Sequence, residues 1–342
     1  MKKMLLVAVI ALMTAAGLEA QDLTGIGDDL SVFFKEIGKD VLPHIQQVVL
    51  TGDGFGSASM GESKFYISHS TGAVLSNGIL GFIEPSNSNF SDLNVYGLID
   101  TLVSGSSGMS KLYSGTKEFF PYPSFRLAVG FKPVFDIETI LTFSIWPQFV
   151  TGWITGLVGA EEIEALELST LNAGLKLRRA LLEGSGPFPT ISVAVGYSFT
   201  RFHFAFEFPA DFEQDFSGLT LTLGGTPRLD LLLHTAGVEF TISKRFGFVE
   251  PFIKAAGWYQ WASYDAAIDA FVAELRDSFG TLITSAEAQG VEPAAELAIS
   301  DLSLLLSAGL EMGRKRFRFV PSGSFDLSTR TFAASVVFRL QF

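Results

Sequence analysis

Charged side chains stand among the small and polar positions of segments that alternate with apolar residues. They are Arg126, Lys132, Glu138, Lys176, Arg178, Glu239, Glu250, Lys254, Glu311, Arg318 and Arg339. Residues two apart in a β-strand lie on the same face, so the pattern puts these charges on one face of a sheet. Charges of both signs on one face can pair across strands and fill a narrow interior, or they can line a polar passage and set its selectivity. The sequence leaves both interpretations open.

Residues with catalytic or metal-binding spacing are sparse. The four histidines are His44, His69, His203 and His234, and there is no cysteine. His203 precedes Asp211 and Asp215, which resembles the acid–base pair of a barrel hydrolase, but such pairs often arise by chance. The sequence has no Cys/His ligand spacing, phosphate-binding loop or nucleophile elbow, and its acidic loops lack EF-hand spacing. We therefore predict neither an enzyme nor a cofactor or metal site.

The clearest structural element is the last segment, Thr331 to Phe342. Its apolar residues occupy the even positions, Phe332, Ala334, Val336, Phe338, Leu340 and Phe342. Its odd positions are mostly small or polar and include Arg339 and Gln341. This alternation suits a strand that has lipid on one side and a polar lumen on the other. An amphipathic edge strand of a soluble sheet is the alternative.

The first residues predict export from the cytoplasm. Lys2 and Lys3 precede an apolar run, and small residues lead to Ala20, so residues 1–20 read as a signal peptide. The rest of the chain has no uncharged apolar run of about 18 residues, although 48% of the residues are hydrophobic. Its hydrophobicity is therefore distributed over alternating strands. The net charge of −12 argues against nucleic acid as a partner.

The spacing divides the chain into the signal peptide (1–20), an N-terminal segment (21–62) and a strand-rich region (63–342). Asp28 to Leu50 has helical spacing of apolar residues, with Pro43 ending or kinking the helix. Two placements of this segment remain open: a plug in the mouth of a barrel, or a periplasmic segment on its rim.

The strand-rich region predicts an all-β fold, a closed antiparallel transmembrane β-barrel of about ten strands, within a range of about 8 to 14. Closure is required because an open sheet would leave unpaired backbone groups in lipid. Between Ala262 and Ala298 the spacing becomes helical, which predicts an external helical loop. Short turns alternate with long loops, and this asymmetry predicts that both termini lie in the periplasm. A soluble β-sandwich is the runner-up.

The terminal motif Val337-Phe338-Arg339-Leu340-Gln341-Phe342 resembles the last strand of bacterial outer-membrane β-barrels. In general build the chain is similar to spirochaete and Bacteroidetes-type barrels, and more loosely to the fatty-acid-transporter and OmpW-like channels. The resemblance implies insertion in outer-membrane lipids and recognition by the barrel-assembly machinery. It implies that the assembly signal consists of Phe332, Val336, Phe338, Leu340 and Phe342. The Asn-Pro-Ala signature of the fatty-acid transporters is absent near the N-terminus, so no ligand residues are carried over.

Two functions fit this fold. The first is a passive channel or transporter in the bacterial outer membrane for small solutes, including apolar ones. The second is a non-transporting barrel whose surface loops mediate adhesion or envelope integrity. The sequence does not name the solute.

Overall fold

The computed structural model describes part of the 342-residue chain. The described residues are 28, 31–32, 34–36, 38–39, 42, 47, 56–59, 65–75, 120–131, 137–145, 167–184, 187–205, 212–216, 219–277, 279–285, 287, 292, 294–314 and 316–342. The predicted signal peptide lies outside this set.

The described residues form an all-β fold, as predicted. The strands are β1 (Phe65–Leu75), β2 (Phe120–Phe131), β3 (Ile137–Ile145), β4 (Glu167–Leu182), β5 (Thr190–Ala205), β6 (Phe212–Phe216), β7 (Leu219–Ser243), β8 (Val249–Asp277), β9 (Leu282–Ser285), β10 (Ala294–Arg314), β11 (Phe317–Asp326) and β12 (Thr331–Gln341). Every described pairing between neighbouring strands is antiparallel.

Ten of these strands pair with a neighbour on each side, in the order β7-β5-β4-β3-β2-β1-β12-β11-β10-β8. Strand β8 pairs in turn with β7, so the hydrogen-bonding order returns to its starting strand. We call these ten strands the ring, and their number agrees with the sequence prediction. The short strand β6 pairs with the first residues of β7, and the short strand β9 pairs with the last residues of β8.

The two ends of the ring differ in their connections. At one end the strands are joined through residues 132–136, 183–189, 244–248 and 315–316, and the first and last strands meet where Phe342 N donates to Phe65 O (2.8 Å). We call this the short-turn end. At the other end most connections are longer, through residues 76–119, 146–166, 206–218 and 278–293. We call this the long-loop end.

The ring places its apolar side chains outward and its polar side chains inward. In β7, Val238 and Phe240 are exposed whereas Glu239, between them, is 6% exposed. In β12, Phe338 is exposed and Arg339 is 2% exposed. The other exposed apolar residues include Leu141, Phe143, Leu171, Leu175, Val195, Ile253, Leu304 and Leu306. This is the reverse of a soluble domain, which buries its large apolar side chains.

Aromatic side chains mark both ends of the outward face. Towards the long-loop end, His234 and Trp261 stack at 5.3 Å and the Tyr197 hydroxyl lies 2.7 Å from His234 Nδ1. At the short-turn end, the rings of Phe65 and Phe342 lie 6.2 Å apart. With the usual strand rise and tilt of a barrel, the wall between the two bands is about 25 Å tall.

Strands β7, β8 and β10 continue beyond the long-loop aromatic band, and here the sequence prediction is wrong. Most described residues of the predicted helical loop between Ala262 and Ala298 are strand: β8 runs to Asp277, β9 spans Leu282–Ser285 and β10 begins at Ala294, whereas Glu287 is helical. Alternate residues of β8, such as Tyr264 and Ala266, are buried there as in any strand with two different faces.

A β-bulge explains why this region has helical spacing in the sequence. Ala270 in β8 has a positive φ of 51° opposite Gly225, which has a φ of 133°, and the register of the two strands shifts there. A bulge inserts one residue and changes the phase of the alternation. Ile268 and Phe271, three residues apart, therefore join the same apolar cluster. This spacing imitates one turn of a helix.

The described residues between Asp28 and Ser59, which we call the luminal segment, lie inside the ring. Its described residues between Asp28 and Gln47 are helical, within the range predicted for a helix. The segment contacts inward-facing groups of β4, β7, β8, β10 and the β11–β12 hairpin, and only the interior can bring it near all of them. Within the described residues, no helix is long and apolar enough to cross a membrane.

The first described residues of the chain lie at the long-loop end of the ring. Ser31 Oγ accepts a hydrogen bond from Ala294 N (3.2 Å), at the start of β10, whereas Phe342 lies at the short-turn end. Residues 1–27 lie outside the described residues, so the predicted position of the two chain ends stays a prediction.

Candidate functional site

The interior near the short-turn end is built from buried ion pairs that hold the luminal segment. Arg178 of β4 pairs with Glu138 of β3, and both side chains are almost fully buried. Arg178 Nη1 also donates to the carbonyl oxygen of Ser57 (2.8 Å), and Ser59 Oγ donates to Glu138 Oε1 (3.3 Å). The pair therefore satisfies its own charges and binds the segment at the same time.

A second buried ion pair binds the segment from the side of the ring opposite β3 and β4. Glu311 of β10 pairs with Arg339 of β12, and Arg318 Nε lies 3.5 Å from the same carboxylate. The other Glu311 oxygen accepts the backbone N–H of Ser57 (2.9 Å). Charged hydrogen bonds of this kind are stronger than neutral ones, above all where water is excluded.

Ser243 of β7 completes the contact with the segment. Its hydroxyl accepts the backbone N–H of Ala58 (2.9 Å) and donates to Glu250 Oε1 (2.7 Å). We call Glu138, Arg178, Ser243 and Glu311 the clamp. The clamp binds backbone groups of the segment at Ser57 and Ala58, where the chain bends, and the Ser59 hydroxyl.

A further charged group lies on the wall beside the clamp. Lys176 Nζ is 2.8 Å from Glu239, and Lys254 Nζ is 3.6 Å from the same carboxylate. Lys176 also lies over the Trp258 ring, 5.4 Å from its centroid. The Trp258 indole packs against Gly196. A Cβ at position 196 would lie 3.0 Å from the indole, so the close contact depends on the missing side chain. These side chains fill interior space that a wide pore would leave open.

The structure places most of the predicted lumen-lining residues inside the ring. Glu138, Lys176, Arg178, Glu239, Lys254, Glu311, Arg318 and Arg339 are buried, and Glu250 is partly buried. Arg126 lies in β2, but its side chain is outside the described set, as is Lys132. The assembly-signal residues Phe332, Phe338, Leu340 and Phe342 are exposed on the outward face, and Val336 shares that face at intermediate exposure. Their roles stay predictions.

The interior near the long-loop end is apolar. We call its wall the seat; its residues are Leu231, Leu233, Ala262, Tyr264, Ala266, Ile268 and Ala295. Phe34 and Leu42 of the luminal segment are buried in the seat. Tyr264 donates its hydroxyl proton to the Phe34 carbonyl oxygen (2.8 Å), and Gly38 lies so close to the Tyr264 ring that a Cβ would come within 2.9 Å of it. Shape and apolar area hold the segment here.

Gln47 joins the two zones. Its side chain is fully buried, and Nε2 donates to the carbonyl oxygen of Thr331 (3.0 Å) and, more weakly, to that of Ser324 (3.5 Å). These carbonyl groups belong to the β11–β12 hairpin. The segment is therefore held at three heights along the interior.

A charged network lies on the outward face beyond the long-loop aromatic band. His203 Nδ1 is 2.9 Å from Asp230, and Arg228 contacts Asp230 (3.2 Å), Asp265 (2.9 Å) and Asp269 (3.0 Å). Burial opposes ionisation of Asp230, but the hydrogen bonds and charges of His203 and Arg228 hold its pKa below the ordinary value. His203 thus pairs with Asp230 of the neighbouring strand, and the Asp211 and Asp215 side chains lie outside the described residues.

The sequence reasoning missed the segment residues that the interior binds, which are Phe34, Leu42, Gln47, Ser57 and Ala58. The apolar helical spacing of residues 28–50 was the available signal, and it could not decide between a plug and a rim position. Ser57 and Ala58 carried no signal, because the clamp binds their backbone. Among the described residues, no group of three or more His, Asp or Glu side chains is placed to hold a metal ion.

Solved structures similar to this chain include bacterial outer-membrane β-barrels. The translocator domain of the autotransporter NalP from Neisseria meningitidis is 9% identical with a TM-score of 0.37, and the match covers 90% of this chain and 96% of that one. The outer membrane protease OmpT from Escherichia coli is 7% identical with a TM-score of 0.38, covering 83% and 98%. A Pseudomonas aeruginosa FadL homologue is 7% identical with a TM-score of 0.29, covering 86% and 92%. Similarity this low is compatible with several functions and assigns none.

No protein-family model matches the sequence, and no curated protein matches it.

Proposed function

We propose that this chain is an integral outer-membrane β-barrel whose lumen is a passive passage for small solutes. The observation that supports the membrane position is the inverted burial of the ring, with apolar side chains outside and charged side chains inside. In water such a surface would be one large apolar patch, far above what soluble monomers expose. In a bilayer it contacts acyl chains, while each strand of the ring pairs its backbone with a neighbouring strand on either side.

The aromatic bands support the same position. They are separated by about 25 Å, the height of the apolar belt of such barrels, and the charged network around Arg228 lies beyond them. Barrels of this class have short turns on the periplasmic side, so the short-turn end faces the periplasm. The exposed Phe342 at that end fits the predicted assembly signal.

Described side chains and the luminal segment occupy the interior in this conformation. Arg178, Arg339, Glu138, Glu311 and Gln47 are among the fully buried side chains of the interior. A solute therefore passes only when the luminal segment moves. The apolar seat, once Phe34 and Leu42 leave it, is a favourable entry for a small apolar solute.

Membrane integration is tested by extraction. We expect the mature chain to stay with the outer membrane through carbonate and urea washes and to dissolve only in detergent. Recovery of folded protein in the aqueous fraction would refute the membrane position, and with it the channel.

Channel function is tested by single-channel recording of the refolded chain in planar bilayers. We expect brief openings of the wild type and more frequent openings of Gly38→Val, because a side chain at this position collides with the Tyr264 ring. Lys39→Val is the matched control, since Lys39 is exposed on the same helix. If both the wild type and Gly38→Val are silent, the alternative of a non-transporting surface barrel, which the packed interior also fits, replaces the channel.

A further inference from the structure

We infer that the luminal segment crosses the membrane inside the barrel from the cell exterior to the periplasm, so that Asp28 lies on the exterior side. The lumen is then a binding site whose ligand is this chain's own residues 28–59. The inference rests on the proposed membrane position, and it does not depend on conduction. It follows from the order in which the segment meets the wall.

The first contacts lie at the long-loop end. Ser31 Oγ is 3.2 Å from the backbone nitrogen of Ala294, which begins β10 beyond the aromatic band. Three residues after Ser31, the carbonyl oxygen of Phe34 accepts a hydrogen bond from the Tyr264 hydroxyl. Asp28 is exposed and precedes Ser31 by less than one helical turn, so it lies at the same end.

The next contacts lie progressively closer to the short-turn end. Gln47 binds the carbonyl groups of Thr331 and Ser324, and Ser324 pairs with Ser307, which lies between Ala294 and Glu311 in β10. Ser57 and Ala58 then bind the clamp. Glu311 lies three residues before the end of β10, and Ser243 is the last residue of β7. The chain then enters β1 at Phe65, whose backbone pairs with Phe342 at the short-turn end. The direction is therefore the same at every described contact.

The chemistry of the contacts makes the segment a specific occupant. The seat fits two apolar side chains, Phe34 and Leu42, with a glycine between them where the Tyr264 ring leaves no room for a Cβ. The clamp presents acceptors to two successive N–H groups and an Arg178 donor to the carbonyl group between them. An occupant must therefore combine an apolar helical part with a non-helical bend that presents its backbone groups, in this order along the axis.

The side of Asp28 is tested by labelling of single-cysteine variants, because the native chain has no cysteine. Asp28→Cys is treated with a membrane-impermeant maleimide on intact cells. Phe279→Cys is the exterior control, because Phe279 is 92% exposed in the turn between β8 and β9. Arg245→Cys, in the short turn after β7, is the periplasmic control and should label only after permeabilisation.

We expect Asp28→Cys to label on intact cells to the same extent as Phe279→Cys, within about twofold. If Phe279→Cys labels and Asp28→Cys does so only after permeabilisation, the inference is wrong and the proposed function stands. If instead Arg245→Cys labels on intact cells and Phe279→Cys does not, the proposed orientation itself is wrong.

Occupation of the lumen near the clamp is tested by disulfide formation. A Cβ on Gly56 would lie 2.6 Å from Val320 Cγ1, close enough for a disulfide between cysteines at these positions. We expect Gly56→Cys/Val320→Cys to cross-link almost fully on mild oxidation in isolated membranes. The control pair Gly56→Cys/Phe319→Cys should not cross-link, because adjacent strand residues point to opposite faces. Equal yields for the two pairs, or no cross-link in the first, would overturn the inference.

Discussion

The seat and the clamp hold the same segment by opposite means. The seat uses apolar side chains and close packing, together with the hydrogen bond from the Tyr264 hydroxyl to the Phe34 carbonyl oxygen. The clamp uses buried ion pairs whose spare hydrogen-bonding capacity is directed at the segment backbone. The seat therefore depends on the shape of the segment, whereas the clamp depends on electrostatic pairing within the wall.

The difference matters because the two kinds of contact fail in different ways. Apolar packing weakens gradually as side chains are trimmed or enlarged. A buried ion pair fails abruptly, because removal of one partner leaves an uncompensated charge. We therefore expect the seat to be the part of the site that opens, and the clamp to be the part that stays fixed.

The largest expected effect is at Arg339, the ion-pair partner of the clamp residue Glu311. Arg339→Met leaves Glu311 with the more distant Arg318 and should lower the free energy of unfolding by about 3–5 kcal/mol. Denaturant titration of the refolded chain in detergent micelles, followed by tryptophan fluorescence, measures this. Arg179→Met is the control, because Arg179 is exposed on the outward face of β4, and it should change stability by less than about 0.5 kcal/mol. Equal losses of stability in the two variants would mean that the Arg339–Glu311 ion pair does not stabilise the fold more than an exposed arginine does.

The second-largest loss of stability is expected when a larger side chain is introduced into the packed seat. Gly38→Val should lower the free energy of unfolding by about 1–3 kcal/mol, because the new side chain meets the Tyr264 ring. The same titration, run beside the exposed control Lys39→Val, checks it. A Gly38→Val variant as stable as its control would show that the segment is not packed against Tyr264.

Tyr264→Phe sharpens the comparison, because it keeps the shape of the seat and removes its hydrogen bond. The Phe34 carbonyl loses one donor, so we expect a loss of about 0.5–1.5 kcal/mol in the free energy of unfolding. Tyr259→Phe, on the exposed face of the same strand, is the control. A loss as large as that of Arg339→Met would contradict the view that apolar packing dominates the seat.

The smallest expected effect is outside both zones, at Asp230. Its pKa is lower in the folded chain, so its ion pairs stabilise the fold above the unfolded pKa and this contribution disappears as the pH falls through the folded pKa. Asp230→Asn should therefore be less stable than the wild type at pH 7, by at most about 1 kcal/mol, because the site is partly exposed.

The pH dependence is checked by repeating the titration at about pH 7 and about pH 3. The difference between Asp230→Asn and the wild type should shrink at the lower pH. Glu296→Gln removes an exposed carboxylate of β10 and is the control. A difference that grows on acidification would reverse the assigned sign.

The sequence predicted which residues of the strands face outward or inward better than it predicted what occupies the interior of the ring. The alternation from Thr331 to Phe342 matches the burial of β12 residue by residue, with Phe338 outside and Arg339 inside. The same rule failed between Ala262 and Asp277, where the bulge at Ala270 moved the apolar residues into helical spacing. A prediction from periodicity cannot separate one inserted residue from a change of secondary structure.

The sequence alone determined which side chains share a face, because the period of a strand is set locally by its backbone. It could not determine that Glu138 pairs with Arg178 or that Glu311 binds the N–H of Ser57, since these partners are far apart in the chain. Only the tertiary structure decided that residues 28–59 fill the ring and in which direction they run. A peptide segment can satisfy its backbone in water or in a protein interior, and its own residues do not say which.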